Sequence, residues 1–149
     1  MSNISKTENP LVSIIVLTFN SAKYVLETLE SAKAQTYQNI ELIISDDCST
    51  DDTVEVCRKW LDENYDRFKC TKLITVGKNT GIAINCNRGL YAAQGVWIKH
   101  IAGDDILLPD ALSAYHLYAK DHTDAKCIVS DIQLFGERNE IYRCNKKQR

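Results

Sequence analysis

Two runs constrain this chain before anything else does. Val12 to Leu17 (VSIIVL) and Ile40 to Ser45 (IELIIS) are nearly continuous in apolar, largely β-branched residues, and each leads into an amphipathic stretch. Strands of that composition are buried on both faces, which is the mark of a parallel sheet with helical crossovers. The pattern continues. Cys70 to Val76 reads as a third strand, Val96 to Ile101 (VWIKHI) as a fourth and Lys126 to Ser130 (KCIVS) as a fifth. Ser21 is placed to cap a first helix, with Val25, Leu29 and Ala32 inward at the i, i+4, i+7 spacing. Ser49 or Thr50 caps a second, with Asp51 and Asp52 in the first turn, where the helix dipole favours negative charge. Val54, Cys57 and Leu61 line its buried face. A third helix spans Gly81 to Ala93 and is expected to bury Ile82, Cys86, Leu90 and Ala93. A fourth starts near Pro109, with Leu112, Tyr115 and Ala119 inward. The fold class expected is α/β: a doubly wound, mostly parallel sheet with helices on both faces. It forms one continuous domain over residues 1–149, with a disordered tail over residues 1–9.

Composition excludes several functions. A net charge of -2 supplies no field for capturing nucleic acid or an anionic membrane. The closing stretch Asn145 to Arg149 is basic but short, and reads as a solvated tail. The sequence has no apolar run of about 18 residues, so no membrane-spanning helix is expected. Met1 to Pro10 is polar and lacks the apolar stretch of a signal peptide, so a cytoplasmic location is expected. The six cysteines form no C-x-x-C pair and no cysteine–histidine cluster with ligand spacing, so reduced thiols are expected. No G-x-G-x-x-G follows the first strand and no G-x-x-x-x-G-K-[ST] occurs, which argues against nicotinamide, flavin and P-loop sites.

Ligands of a doubly wound sheet bind beyond the carboxyl ends of the strands, where strand order reverses. An order of 3-2-1-4 with right-handed crossovers puts that reversal between the first and fourth strands. Three loops then converge: Leu17-Thr18-Phe19-Asn20, Asp46 to Asp51, and Gly103-Asp104-Asp105. Phe19 can stack on a planar base. Asp47 can accept from a base N–H or a ribose hydroxyl. Asp104 and Asp105 are hard oxygen ligands for Mg²⁺ or Mn²⁺, and such an ion would bridge a diphosphate. Taken alone, Asp46-Asp47 could be a turn and cap, and Gly103-Asp104-Asp105 a helix entry. Their joint position at neighbouring strand ends favours a site. Asn79 and Gly81 read as loop and cap residues, and Tyr24, Tyr37, Trp60 and Trp97 as core or rim aromatics. His100, His116 and His122 have no convergent partner in the pattern and read as structural or surface residues. Asp131 fits either a cleft border or a strand-end turn.

Several segments resemble one known family. Pro10 to Asn20 (PLVSIIVLTFN) resembles the opening strand and loop of family 2 glycosyltransferases, inverting enzymes of the GT-A fold. Ser31 to Thr53 is similar to their S-x-x-x-Q-x-x-x-x-x-E-x-I-x-x-D-D-G-S-x-D-x-T pattern. Asn79-Thr80-Gly81, Asn87-Arg88-Gly89 and Ala93-Gln94-Gly95 look like the N-x-G, N-x-G, A-x-G run that follows. Gly103-Asp104-Asp105, with Pro109-Asp110 behind it, looks like the D-x-D-type metal motif. The likeness spans Pro10 to Phe135.

The resemblance implies a GT-A, Rossmann-like fold, truncated to its nucleotide-sugar-binding half. It implies that the Leu17 backbone and Phe19 ring meet the nucleobase, that Asp47 binds the base, Asp104 the ribose, and Asp105 a Mn²⁺ or Mg²⁺ ion. The donor would be a nucleotide-sugar, with a UDP-sugar favoured, and the acceptor a hydroxyl of a glycan or lipid-linked molecule in polysaccharide or glycan biosynthesis. No catalytic residue is assigned within the chain; the base and the acceptor-binding half are expected beyond Arg149. Peripheral membrane association and a homo-oligomer stay open, and no nucleic acid partner is expected. The chain departs from the pattern at Leu17 (often proline), Phe19 (often tyrosine), Cys48 (usually glycine) and Cys86 (often arginine). At Cys48 the turn must avoid positive φ or carry strain. One alternative is a nucleotide-diphosphate-binding fragment without turnover. Another is a sugar-nucleotide nucleotidyltransferase, which would need a glycine-rich loop that Thr18-Phe19-Asn20-Ser21 lacks. A phosphoacceptor receiver domain is disfavoured, because Lys72 and Lys78 fall in the wrong places.

Overall fold

The computed structural model describes residues 8–144, so the basic tail and residues 1–7 of the expected disordered tail lie outside the described residues. The chain comprises two compact units, residues 1–114 and 115–149. The elements are β1 (Val12–Thr18), α1 (Val25–Lys33), β2 (Ile40–Asp46), α2 (Thr53–Asn64), β3 (Cys70–Ile74), α3 (Ile82–Ala92), β4 (Trp97–Ala102), α4 (Ala111–Asp121), β5 (Ile132–Gln133) and β6 (Ile141–Tyr142). A 3₁₀ turn, Tyr65–Arg67, follows α2.

The four long strands form a parallel sheet in the order β3-β2-β1-β4. That is the order expected from the sequence, and the fold is the anticipated α/β arrangement. β1 and β2 lie in the middle, where both faces are covered. Ile14, Ile15, Val16, Leu42, Ile43 and Ile44 are accordingly inaccessible to solvent. Right-handed crossovers leading one way from β1 place α1 and α2 on one face, and the reversal towards β4 places α3 on the other. Trp60 of α2 donates its indole N–H to Glu30 of α1 at 2.6 Å, tying the first two helices together. Val25, Leu29 and Ala32 face the core as expected.

Four expectations need correction. The inner face of α3 carries Asn85 and Gly89, whereas Ile82 (78% exposed) and Leu90 point outward. The helix lies so close to β1 that a β-carbon on Gly89 would collide with the Ile15 side chain. The Asn85 amide reaches the ends of two strands, donating to the Ser45 carbonyl at 2.9 Å and the Thr18 carbonyl at 3.4 Å, and accepting from the Ser45 hydroxyl at 2.6 Å. Close approach and those hydrogen bonds rotate the helix by about one residue from its apolar stripe. Lys126 to Ser130 forms no strand; pairing in its unit belongs to β5 and β6, an antiparallel ribbon with Ile132 opposite Tyr142. An apolar run has strand composition, but composition does not supply a partner strand.

The two helix starts also move. α1 begins at Val25, after a turn in which the Ser21 carbonyl accepts from the Tyr24 and Val25 amides. α2 begins at Thr53, whose amide is taken by Asp51 Oδ1 at 3.0 Å. The hydroxyls expected to cap these helices bond loop residues instead: Ser21 pairs with the Phe19 backbone of its own loop, while Ser49 and Thr50 reach Asn20 in the loop after β1. In the second unit, Asp131 takes the strand-end role, accepting from the Cys144 amide at 2.8 Å. No helix among the described residues is long and apolar enough to cross a membrane.

Candidate functional site

At the carboxyl edge of the sheet, Thr18 lies opposite Asp46, and Leu17 opposite Ala102. The backbone stitches the three following loops to one another. The Asp47 amide donates to the Thr18 carbonyl at 3.0 Å, and the Gly103 amide to the Leu17 carbonyl at 2.8 Å. The second of these contacts lies at the strand-order reversal between β1 and β4, so the loops meet where the sequence places them.

Most of the acidic motif cross-links these loops. Asp46 accepts from the Thr18 hydroxyl at 2.8 Å and from the Ser49 amide at 2.9 Å. Asp51 accepts from the Ala22 amide at 3.1 Å, and Thr53 Oγ1 from the Ser21 amide at 2.7 Å. Asn20 donates its amide to Ser49 Oγ at 2.8 Å and accepts from the Thr50 amide at the same length. The acidic and hydroxyl spacing after β2 thus satisfies the backbone of the loop after β1, which has no regular partner of its own.

Asp47 differs from its neighbours because its side-chain partners come from the loop before α3 and from α3 itself. It is 3% exposed. Its Oδ2 accepts from the Thr80 amide at 2.9 Å and the Gly81 amide at 2.7 Å. Its Oδ1 accepts from the Thr80 hydroxyl and from Arg88 Nη2, the latter at 3.3 Å. Burial works against its ionisation, yet the Thr80 hydroxyl, the two amides and Arg88 together outweigh it and hold the carboxyl below its usual range. Thr80 and Arg88 lie in motif segments that were given no role at the site, and Asn85 lies outside those segments. The available signal was spacing: Asn85 and Arg88 stand i, i+3 on one helix and share a face with the loop.

The other expected residues are more open. Phe19 is 50% exposed, and Leu17 is half-buried. Asp104 and Asp105 are exposed, and Asp105 Oδ2 accepts from the Ala102 amide at 3.2 Å. No group of three or more His, Cys, Asp or Glu side chains that could hold a metal ion occurs among the described residues. Two adjacent exposed carboxylates fit a hard divalent cation that keeps water and phosphate oxygens in its shell, rather than one caged by protein. Gly81 precedes α3 with φ +86°, in the cap role expected of it.

Residues 13–146 match the sequence profile described as Glycosyl transferase family 2. The chain belongs to that family. Among its relatives, the chondroitin synthase of Escherichia coli is 38% identical over 103 residues, covering 69% of this chain and 14% of that protein. The structure of S. aureus TarS 1-349 in complex with UDP-GlcNAc is similar with a TM-score of 0.68 at 28% identity, over 75% of this chain and 32% of that one. The mannosyltransferase PcManGT from Pyrobaculum calidifontis, in complex with GDP-Man and Mn²⁺, gives a TM-score of 0.65 at 27% identity, over 72% of this chain and 31% of that one. This family 2 chain spans less than half the length of the curated relatives it matches.

The family's usual glycine is Cys48 here, and the structure decides what that does. Cys48 has φ +68°, so the turn carries the strain instead of avoiding it. A left-handed L-residue costs about 1–2 kcal/mol, partly offset because glycine loses more entropy on folding. Cys48→Gly is therefore expected to raise stability by about 0.5–1 kcal/mol in urea unfolding. A loss of stability would show that the thiol makes a compensating contact.

Proposed function

We propose that this chain forms the donor-binding part of a glycosyltransferase, gripping a nucleotide-sugar whose sugar passes to a hydroxyl acceptor. The carrying observation is the exposed Asp104-Asp105 pair at the strand-order reversal, on a loop joined through the Gly103 amide to the Leu17 carbonyl, two residues before the exposed Phe19. A UDP-sugar is the favoured donor, supported by the UDP-GlcNAc complex of a similar protein. The acceptor is a glycan or lipid-linked molecule on the cytoplasmic side, in polysaccharide or glycan synthesis.

In this reading Phe19 stacks on the base and the Leu17 backbone borders it. Asp47 faces the base, Asp104 takes the ribose, and Asp105 holds Mn²⁺ or Mg²⁺. When bound, the cation offsets the charge that develops on the leaving diphosphate. The chain's own residues bind and orient. None is assigned as the general base, which by itself contributes about 10²–10⁴-fold. Sugar transfer by the 149-residue chain alone is accordingly expected to be slow.

Titration calorimetry with UDP and GDP, with Mn²⁺ and with chelator, tests the reading. Asp105→Ala is expected to remove the metal-dependent increment of affinity and leave the metal-independent part. Equal wild-type affinity in chelator and in Mn²⁺ would exclude the metal role. Asp47→Ala is a poorer probe of base contact, because it also releases Thr80, Gly81 and Arg88.

A further inference from the structure

One guanidinium joins parts that the sheet does not connect. Arg88 of α3 donates Nη1 to Asn85 Oδ1 at 2.8 Å, and Nη2 to Thr80 Oγ1 at 2.8 Å and Asp47 Oδ1 at 3.3 Å. Its side chain is only 17% exposed. Asn85 in turn donates to the carbonyl of Ser45 and, at 3.4 Å, to that of Thr18. A continuous network therefore runs from the last residues of β1 and β2, through α3, to Thr80 and Asp47.

The arithmetic of this network matters. A carboxylate has about four lone-pair positions, and Asp47 already receives the Thr80 amide, the Gly81 amide, the Thr80 hydroxyl and Arg88. A nucleobase N–H can bond to Asp47 only by replacing one of them. The Arg88 bond is the longest of the four, and Arg88 keeps Asn85 and Thr80 as acceptors when it lets go. The amides cannot leave without moving the backbone ahead of α3.

We propose that Arg88 is a positioning residue for nucleoside binding: it holds Asp47 and Thr80 in place in the free protein and yields its Asp47 bond to the incoming base. The inference rests on reading the site as a nucleotide site. After the exchange the guanidinium stays beside the carboxylate, so Asp47 binds the base as a compensated charge. Without Arg88 the buried carboxylate keeps only Thr80 and Gly81, and the Thr80 hydroxyl loses the donor that fixes its rotamer.

The test compares wild type with Arg88→Met, Arg88→Gln and Arg88→Lys. UDP affinity in chelator is expected to fall about tenfold in Arg88→Met, because the buried carboxylate then meets the base without the adjacent guanidinium charge and with the Thr80 hydroxyl no longer fixed. Arg88→Lys should recover part of it, and the Mn²⁺-dependent increment should persist. Carbon-13 titration of the Asp47 carboxyl should move to higher pH in Arg88→Met and Arg88→Gln. Amide exchange should quicken at Thr80 and Gly81 while Ile14, Ile15 and Val16 stay protected. Wild-type titration and exchange in Arg88→Gln would overturn the proposal, as would equal UDP affinity in all four proteins. A wild-type protein that binds neither UDP nor GDP overturns the nucleotide reading, and with it the nucleoside role of Arg88. The titration and exchange arms then decide the Asp47 clamp by themselves.

Discussion

Asp47→Ala is expected to lower folding stability by about 2–4 kcal/mol, against a total of about 5–15 for a typical domain. Removing one partner of a buried ion pair costs about 3–5 kcal/mol because the other charge stays buried. Arg88 and Gly81 keep some access to water, which lowers the figure here. Asp47→Asn preserves shape but turns an amide NH₂ towards donors, so it should be nearly as damaging. Acid provides a second readout. The Asp47 carboxyl sits below its ordinary value of 3.8 in the folded chain. A lowered folded value contributes stability that is present above the unfolded value and is lost as pH falls through the folded one. Urea unfolding at pH 7 and pH 3 should therefore show a smaller acid loss in Asp47→Asn than in wild type. An identical acid loss in the two proteins would contradict the hydrogen-bond account of Asp47.

Gly95→Ala should cost about 3 kcal/mol or more, the upper end for overpacking. A β-carbon there would lie 2.6 Å from the Ser13 amide nitrogen and 2.9 Å from the Trp97 carbonyl, and would strike the Ser13 hydroxyl as well. Two of those three obstacles are backbone of β1 and β4, which pair with one another. Relief would have to come from the turn itself, and the turn holds a charge in place. Gly95 donates its amide to Glu41 Oε1 at 2.9 Å and to Ser13 Oγ at 2.8 Å. Glu41 is wholly buried, with the Lys72 ammonium 3.9 Å from its other oxygen. Pushing Gly95 away takes a donor from that carboxylate, adding a polar loss to the steric one. Thermal unfolding should show a midpoint about 10 °C lower, by the usual conversion for a chain of this size. A midpoint within a few degrees of wild type would mean that the turn shifts freely.

Gly95 and Glu41 also show how far motifs carry an argument. The E-x-I and A-x-G segments were legible as family features, but their connection was not. Glu41 lies near the start of β2 and Gly95 just before β4, with β1 between them. Their hydrogen bond exists because the sheet brings both to Ser13. The same holds for the acidic residues after β2. Residue type announces acceptors at Asp46, Asp47 and Asp51, yet nothing local says that two of them serve loop backbone and the third serves Thr80, Gly81 and Arg88.

By itself the sequence determined the central strands and, given the common doubly wound order, the place where the loops after them meet. Those follow from local pattern and chain handedness: β-branched runs demand burial on both faces, and right-handed crossovers leave few topologies. Tertiary structure alone decided which face α3 buries, where the two capping hydroxyls go, and that Cys48 adopts a left-handed backbone. It also decided that Lys126 to Ser130 forms no strand. An apolar stripe records only transfer from water, whereas Asn85 and Gly89 face inward because hydrogen-bond partners and close backbone contact on another strand can be met only there.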